Sequence, residues 1–215
     1  MDGAFSWQYG RWESGHSRTI AGAVIDEGLV RIHVNGLELA SFMATPIDLD
    51  LLVLGFLRSE GIIQDSQDVR LLHVCPSRTC VEVWLANGAA TLPSRPILTS
   101  GCGGGVTFDD LSQRHAPVAS QRRVTPQQIL NGIQQLAAAA TLYDETRGVH
   151  TSALSDGERL LAAAEDVGRH NTVDKLWGYC LQHGIDPAGQ ILLATGRISS
   201  EMLNKAAKMG VPVVA

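Results

Sequence analysis

Between residues 93 and 105 the chain carries Pro93, Pro96 and the run Ser100-Gly101-Cys102-Gly103-Gly104-Gly105, which cannot be the interior of a helix or strand. Both flanks show clear hydrophobic patterning. The break therefore divides the 215 residues into two halves, each of which must bring apolar faces to a core. At this length folding buries roughly 70% of the surface an unfolded chain exposes, so no disulfide or metal staple is needed. Hydrophobic residues make up 45% and charged residues 18%, the balance of a packed globule rather than a disordered chain.

The first half reads as β-rich. Residues up to about Arg18 are polar and aromatic without a period and predict a loose N-terminal arm over residues 1–20. Leu29 to Val34 and Leu37 to Phe42 flank Asn35-Gly36, the strongest local signal for a two-residue hairpin because both turn residues must reach positive φ. Thr45-Pro46 predicts a helix cap followed by proline in the first turn, with Asp48 reaching back. Leu49, Leu52, Val53, Phe56 and Leu57 then follow the spacing of one buried helix face, which Gly61 ends. Val69 to Val74 and Val81 to Leu85 read as strands, with Asn87-Gly88 closing a second hairpin.

The second half opens with Thr125-Pro126-Gln127-Gln128, a capping box with proline at its first helical position. Ile129, Leu130, Ile133, Leu136, Ala137 and Ala140 supply that helix with an apolar stripe. Strands follow around Thr151 to Leu154 and Arg159 to Ala164, joined by Ser155-Asp156-Gly157. Val173, Leu176, Trp177, Cys180 and Leu181 repeat the helical spacing, with Cys180 read as core. Ile191 to Ala194, a helix from Ser199 to Met209 and Val211 to Val214 form a strand–helix–strand unit with a parallel pair. Glu201 near the start of that helix and Lys205 and Lys208 near its end match the helix dipole. The organisation expected is an α/β chain: an arm over 1–20, a β-rich subdomain over 21–99, a cysteine loop and linker over 100–120, and an α/β subdomain over 121–215.

Charge excludes some functions. Seventeen basic against 22 acidic residues give −5, so the counterion release that drives generic nucleic-acid binding has no source. Aromatic residues, at 5%, leave little for base stacking. The longest apolar stretch, Leu49 to Leu57, is interrupted by Asp50 and far short of the ~18 residues a membrane span needs. Met1 to Trp7 lacks the pattern of a signal peptide. Cys75, Cys80, Cys102 and Cys180 therefore read as cytosolic thiols, and a cytoplasmic protein is expected.

Three places could carry chemistry. Glycines on both sides of Cys102 leave its thiol accessible, as a nucleophile requires, although the same run also reads as a hinge with an incidental cysteine. His73, Cys75, Cys80 and Cys102 lack the paired spacing of a zinc site, so no metal is expected. Gly101 to Val106 fails the dinucleotide fingerprint, with Val106 in place of its third glycine. The densest polar cluster is Glu165-Asp166-Val167-Gly168-Arg169-His170-Asn171, with Asp174 and Lys175 one turn later. It lies where a strand meets a helix, and free N–H groups there favour an anion. The alternative is a solvated capping loop with a surface Lys–Asp pair; for Arg169 it is a pairing with Asp166 or Asp174 that only fixes the loop. Thr195-Gly196-Arg197-Ile198-Ser199-Ser200 repeats the arrangement, and with Arg147-Gly148-Val149-His150 the two turns could line one pocket for a phosphate-bearing ligand.

These residues resemble a known family. Glu27 to Gly36, Thr45 to Ile63, Ser100 to Gly103, Gly148 to Leu154, Glu165 to Lys175 and Gly196 to Ala215 are similar to the FdhD family of formate dehydrogenase accessory sulfurtransferases. The resemblance implies a cytoplasmic homodimer with a three-layer, cytidine-deaminase-like C-terminal subdomain. It implies a sulfur carrier that takes persulfide sulfur from a cysteine desulfurase on Cys102. The sulfur passes to the molybdenum cofactor, in its bis-molybdopterin guanine dinucleotide form, for formate dehydrogenase. His150, Asp166, Gly168, Arg169, His170, Asn171, Gly196, Arg197 and Ser199 are the expected cofactor-binding residues, with a GDP-like nucleotide as a mimic. Zinc deamination is not expected, because the His-x-Glu and Pro-Cys-x-x-Cys signatures are missing. Many members carry Cys-x-x-Cys in the glycine loop; here Gly105 holds the second place. The family also continues beyond Ala215 into a helix and a basic, tyrosine-containing end, so a shortened chain is expected. A second reading is a non-catalytic chaperone that binds the cofactor and presents it to the apoenzyme.

Overall fold

The computed structural model describes residues 3–88, 93, 97–98, 106–108 and 116–215. Cys102 and the glycines around it, Gly101 to Gly105, lie outside the described residues.

The N-terminal arm is not loose. Strands β1 (Ala4–Glu13) and β2 (His16–Ile25) pair along their whole length in a two-stranded antiparallel ribbon. The turn is Ser14-Gly15, both at positive φ. Phe5, Trp7 and Tyr9 share one face with Ile20 and Val24. The ribbon was hidden from pattern reading because most of its residues are exposed and none is buried, so no core imposes an apolar period. The boundary expected at residue 20 falls inside β2.

The first lobe is a four-stranded sheet. Strands β3 (Gly28–Val34) and β4 (Leu37–Ala44) form the expected hairpin, with Asn35 and Gly36 at φ 51° and 81°. Helix α1 (Leu49–Ser59) follows, then strands β5 (Val69–Val74) and β6 (Cys80–Leu85). The sheet order is β4-β3-β6-β5, with β3 and β6 parallel. Cys75 to Thr79 make the turn between β5 and β6; Asn87-Gly88 comes after the pair rather than joining it. Val30, Ile32, Val81, Val83, Leu52, Phe56 and Leu57 close the core between sheet and helix.

The cap expected for α1 is also different. The helix begins behind Asp48, which is left-handed (φ 48°, ψ 41°) and makes no side-chain cap bond. Thr45 does not reach the helix because its hydroxyl accepts the Val167 N–H at 3.1 Å, and its own N–H donates to Asp166 at 3.2 Å. A long-range contact has taken the side chain that local reasoning assigned to the cap.

Short strands β7 (Ile97–Leu98) and β8 (Val106–Thr107) pair antiparallel beyond the first lobe. The second lobe comprises α2 (Pro126–Ala139), α3 (Thr141–Thr146), β9 (His150–Ser155), β10 (Leu160–Asp166), α4 (Arg169–His183), β11 (Ile191–Ala194), α5 (Ser200–Lys208) and β12 (Val213–Val214). The capping box at Thr125 and Gln128 is present. The stripe of α2 is only partly buried: Leu136 and Ala140 are inside, while Leu130 and Ile133 are exposed. The sheet order is β10-β9-β11-β12, and only β11 and β12 run parallel.

Side chains alternate across this sheet. Leu154 and Leu192 pack with Leu176 and Trp177 of α4 and Met202 of α5, whereas Ala153, Ile191 and Leu193 pack with Leu136 of α2. Helices therefore cover both faces, and the three layers expected for this half are found. Cys180 is 1% exposed and belongs to this core, where burial pushes its thiol up to about 11, with the charge of Asp186 adding to the shift.

Candidate functional site

The lobes meet where α1 crosses α4. A Cβ on Gly55 would stand 1.8 Å from the Asp174 carbonyl oxygen, and one on Gly178 1.9 Å from that of Leu51. The two backbones touch, and only glycine permits it.

That contact brings the polar string after β10 against the first lobe. Asp166 is fully buried and all of its lone pairs are used. One oxygen accepts from Gly168 N–H at 2.8 Å and Asn171 Nδ2 at 2.7 Å; the other accepts from Thr45 N–H and pairs with Lys175 Nζ at 2.8 Å. Lys175 also donates to the Glu165 carbonyl at 3.0 Å. Asn171 donates again to the Met43 carbonyl at 2.9 Å. One turn on, Asp174 pairs with Lys205 Nζ at 2.7 Å, and Lys205 reaches Ser59 at 3.0 Å. Buried ions are tolerated only when paired and hydrogen-bonded in this way.

The alternative reading of this string, a solvated loop with a surface Lys–Asp pair, does not hold for Asp174 and Lys175. Both residues are buried, and each has a different partner. Neither Asp166 nor Asp174 takes Arg169. Asp166, Asn171, Asp174 and Lys175 turn inward to join the lobes, leaving Arg169, His170 and His150 for other work.

Arg169 opens α4 behind Gly168 and is 5% exposed, yet its Nε has no hydrogen-bond partner. The turn at Gly196 lies against it: a Cβ on Gly196 would come within 3.0 Å of Arg169 Cβ and 3.3 Å of His150 Nδ1. His150 is held below its ordinary pKa by burial and by the Arg169 charge, against the pull of Asp166. Ser199 caps α5, accepting from Met202 N–H at 3.4 Å, and meets His170 Nε2 at 3.1 Å. Glu201 Oε2 lies 3.2 Å from the same nitrogen. A carboxylate only accepts, so the neutral imidazole carries its proton on Nε2.

The structure thus brings His150, Arg169, His170, Gly196 and Ser199 to one place, at the N-termini of α4 and α5. Arg197 stands beside them on the same turn and is exposed, without an ion pair among the described residues. Arg147 is engaged elsewhere, pairing with Asp144 at 3.0 Å and lying over the Tyr143 ring. Glu201 and Lys205 were read only as dipole charges. Their burial depends on α5 facing α1 and α4, which sequence spacing does not reveal.

Burial, reinforced by Arg169, Lys205 and His150, lowers the His170 pKa to about 3, outweighing the neighbouring Glu201. From an ordinary value of 6.5 down to about 3, the unfolded chain binds a proton here that the native state refuses. Native stability should therefore fall on acidification through that window, by up to about 1.4 kcal/mol per pH unit from this group. Urea unfolding at neutral and acid pH should show a smaller acid loss in His170→Gln than in the parent. Equal losses would contradict the assignment.

Among the described residues no group of three or more His, Cys, Asp and Glu side chains is placed to hold a metal ion, and no helix is long and apolar enough to cross a membrane.

Two lobes linked by buried hydrogen bonds from Thr45, Asn171 and Lys205, with paired helix N-termini beside a buried guanidinium, define a two-lobed mixed α/β protein. The fold matches the crystal structure of a protein assigned as a formate dehydrogenase accessory protein from Desulfotalea psychrophila. The TM-score is 0.77 at 26% identity, over 98% of this chain and 82% of that one. Residues 25–215 match the model of the FdhD/NarQ family, and the chain belongs to that family. It is 34% identical over 209 residues to the sulfur carrier protein FdhD of Staphylococcus haemolyticus. It is 37% identical over 211 residues to that of Staphylococcus aureus strain MRSA252. Each match covers 95% of this chain and 79% of the relative.

Proposed function

We propose that this chain carries sulfur as a persulfide on Cys102, taking it from a cysteine desulfurase and delivering it to the molybdenum cofactor destined for formate dehydrogenase. The observation that carries the reading is the similarity to sulfur carrier proteins over 95% of the chain. Cys102 is the one cysteine of the four with glycine on both sides. Cys180 is closed inside the core, and Cys75, free, accepts a hydrogen bond on its sulfur from the Cys80 N–H in a hairpin turn. In the first step the Cys102 thiolate attacks the outer sulfur of the desulfurase persulfide. The old S–S bond breaks, a new one forms, and the desulfurase cysteine leaves as a thiolate. The family resemblance supports a cytoplasmic homodimer as the working form.

Mass spectrometry after incubation with a desulfurase and free cysteine tests this step. The chain should gain the mass of added sulfur, and Cys102→Ser alone among the four single serine variants should lose it. An adduct that survives in Cys102→Ser would overturn the assignment. No adduct on the parent chain would leave the chaperone reading in its place.

The cofactor is substrate here, and the surface at Arg169, His170, Gly196, Arg197 and Ser199, with His150 beside it, is proposed to hold a phosphate of its guanine dinucleotide. Supporting this are the buried, unpartnered Arg169 Nε and two helix N-termini that favour negative charge. Asp166, Gly168 and Asn171 contribute by fixing the loop that presents Arg169. Calorimetry with GDP should show Arg169→Lys and Arg197→Lys each weakening binding by about 1–3 kcal/mol, because lysine cannot reproduce a bidentate guanidinium. Unchanged affinity in both, at unchanged melting temperature, would show that these arginines serve only the fold.

A further inference from the structure

The turn between β5 and β6 holds two thiols that the proposed carrier chemistry does not use. The ladder pairs Val74 with Val81, which sets Cys75 opposite Cys80 at its end. Cys75 N–H donates to the Cys80 carbonyl at 3.0 Å, but the return bond is missing. Cys80 N–H is aimed instead at Cys75 Sγ, 2.9 Å away, while the Cys75 carbonyl accepts from Arg78 N–H at 2.8 Å. Ser77 Oγ lies 3.3 Å from the same sulfur. Opposed residues in such a ladder have Cα atoms about 5.5 Å apart, within the span of about 4.4–6.8 Å that a disulfide requires. Both cysteines are free and half-buried, and Pro76 to Thr79 between them are exposed.

The two sulfurs are not equivalent. Burial alone would raise Cys75. Hydrogen bonds from the Cys80 thiol, the Ser77 hydroxyl and the N–H groups of Cys80 and Thr79 outweigh it and bring the thiol down to about 6. Cys80 is pushed up to about 11, first because its proton is held by Cys75, then by burial and by the charges of Cys75 and Glu82. The donors that face Cys75 Sγ favour the thiolate there, with the proton of the coupled pair on Cys80.

We propose that Cys75 and Cys80 form a peroxide-reactive dithiol, in which Cys75 is the attacking sulfur and Cys80 the resolving one. The Cys75 thiolate attacks one oxygen of a hydroperoxide. The O–O bond breaks, an S–O bond forms and hydroxide or alkoxide leaves, so that sulfur is oxidised to sulfenic acid and the peroxide reduced. Cys80, giving up its proton to the departing hydroxyl, then attacks the Cys75 sulfur. The S–O bond breaks, the S–S bond forms and water is released. A low-lying, accessible thiolate beside a second thiol is the arrangement this chemistry needs. Closure draws Cys75 Sγ away from the Cys80 N–H and Ser77. That remodels the turn carrying Arg78, whose guanidinium donates to the Pro46 carbonyl at 3.2 Å, next to Thr45 at the lobe junction.

The test treats the reduced full chain with stoichiometric hydrogen peroxide at neutral pH, alkylates the remaining thiols and maps peptides without reduction. A Cys75–Cys80 cross-link, reversible by dithiothreitol, should be the first product. Cys80→Ser should stop at a Cys75 sulfenic acid trapped by dimedone, and Cys75→Ser should leave Cys80 reduced. Alkylation of Cys75 in the untreated chain should be half-maximal near pH 6. Cys102→Ser should form the same cross-link, which separates this result from the carrier assignment. Cys75 still fully alkylatable after Cys102 has been oxidised, or Cys75 joined to Cys102 instead of Cys80, would overturn the proposal.

Discussion

Replacing Gly178 with alanine should destabilise the chain by about 3 kcal/mol, the upper end of what overpacking a well-filled interior produces. The new methyl would meet Leu51 backbone atoms at 1.9, 2.6 and 2.8 Å, and backbone cannot swing aside as a side chain can. Helices α1 and α4 would have to move apart, stretching the Lys205 contacts to Asp174 and Ser59 that bridge them. Gly55→Ala should behave alike, since its methyl would strike the Asp174 carbonyl. Gly28→Ala, with open space around it, is the matched control and should change little. Urea unfolding checks the series. A loss at Gly178 no larger than the control's would mean that the helices do not cross as closely as described.

Asp166→Ala should cost about 3–5 kcal/mol, the range for stripping one partner from a buried ion pair. Lys175 is 1% exposed, and the carbonyls of Glu165 and Thr45 cannot neutralise its ammonium. The same substitution frees the N–H groups of Thr45 and Gly168 and the amide of Asn171. Asp166→Asn with Lys175→Met keeps an acceptor for the Gly168 and Asn171 donors and removes the stranded charge. A double-mutant cycle with the two single variants should therefore show the pair losing well under the sum of its parts. Additive losses would mean that the two charges do not stabilise each other. Because this ion pair fixes the start of α4, GDP affinity in Asp166→Ala should fall along with stability.

Elements specified by neighbouring residues were legible in the sequence. Asn35-Gly36 dictated the β3–β4 turn, Thr125 to Gln128 the start of α2, and residues 191–214 the parallel strand pair. Each depends on φ preference, capping or period among residues close in sequence. Thr45 was misread because its partners, Asp166 and Val167, lie more than 100 residues away and outbid the local cap. The β1–β2 ribbon went unseen because its aromatic residues face solvent, although Ser14-Gly15 is a turn pair of the same kind as Asn35-Gly36. The site divides in the same way. Glu165 to Lys175 stood out as a polar cluster at a strand-to-helix turn, but the direction in which each side chain points was not legible. Asp166, Asn171, Asp174 and Lys175 are buried where the lobes meet, and Gly55 and Gly178 let α1 come that close.

The most direct measurement follows labelled sulfur from start to finish. Radiolabelled cysteine and a desulfurase should charge the parent chain. A chase with molybdenum cofactor and apo formate dehydrogenase should then move the label off Cys102 and into the cofactor recovered from the dehydrogenase. Cys102→Ser should take up no label and deliver none. Label that reaches the cofactor equally well through Cys102→Ser, or that never leaves the parent chain, would contradict a sulfur-carrying role for this cysteine.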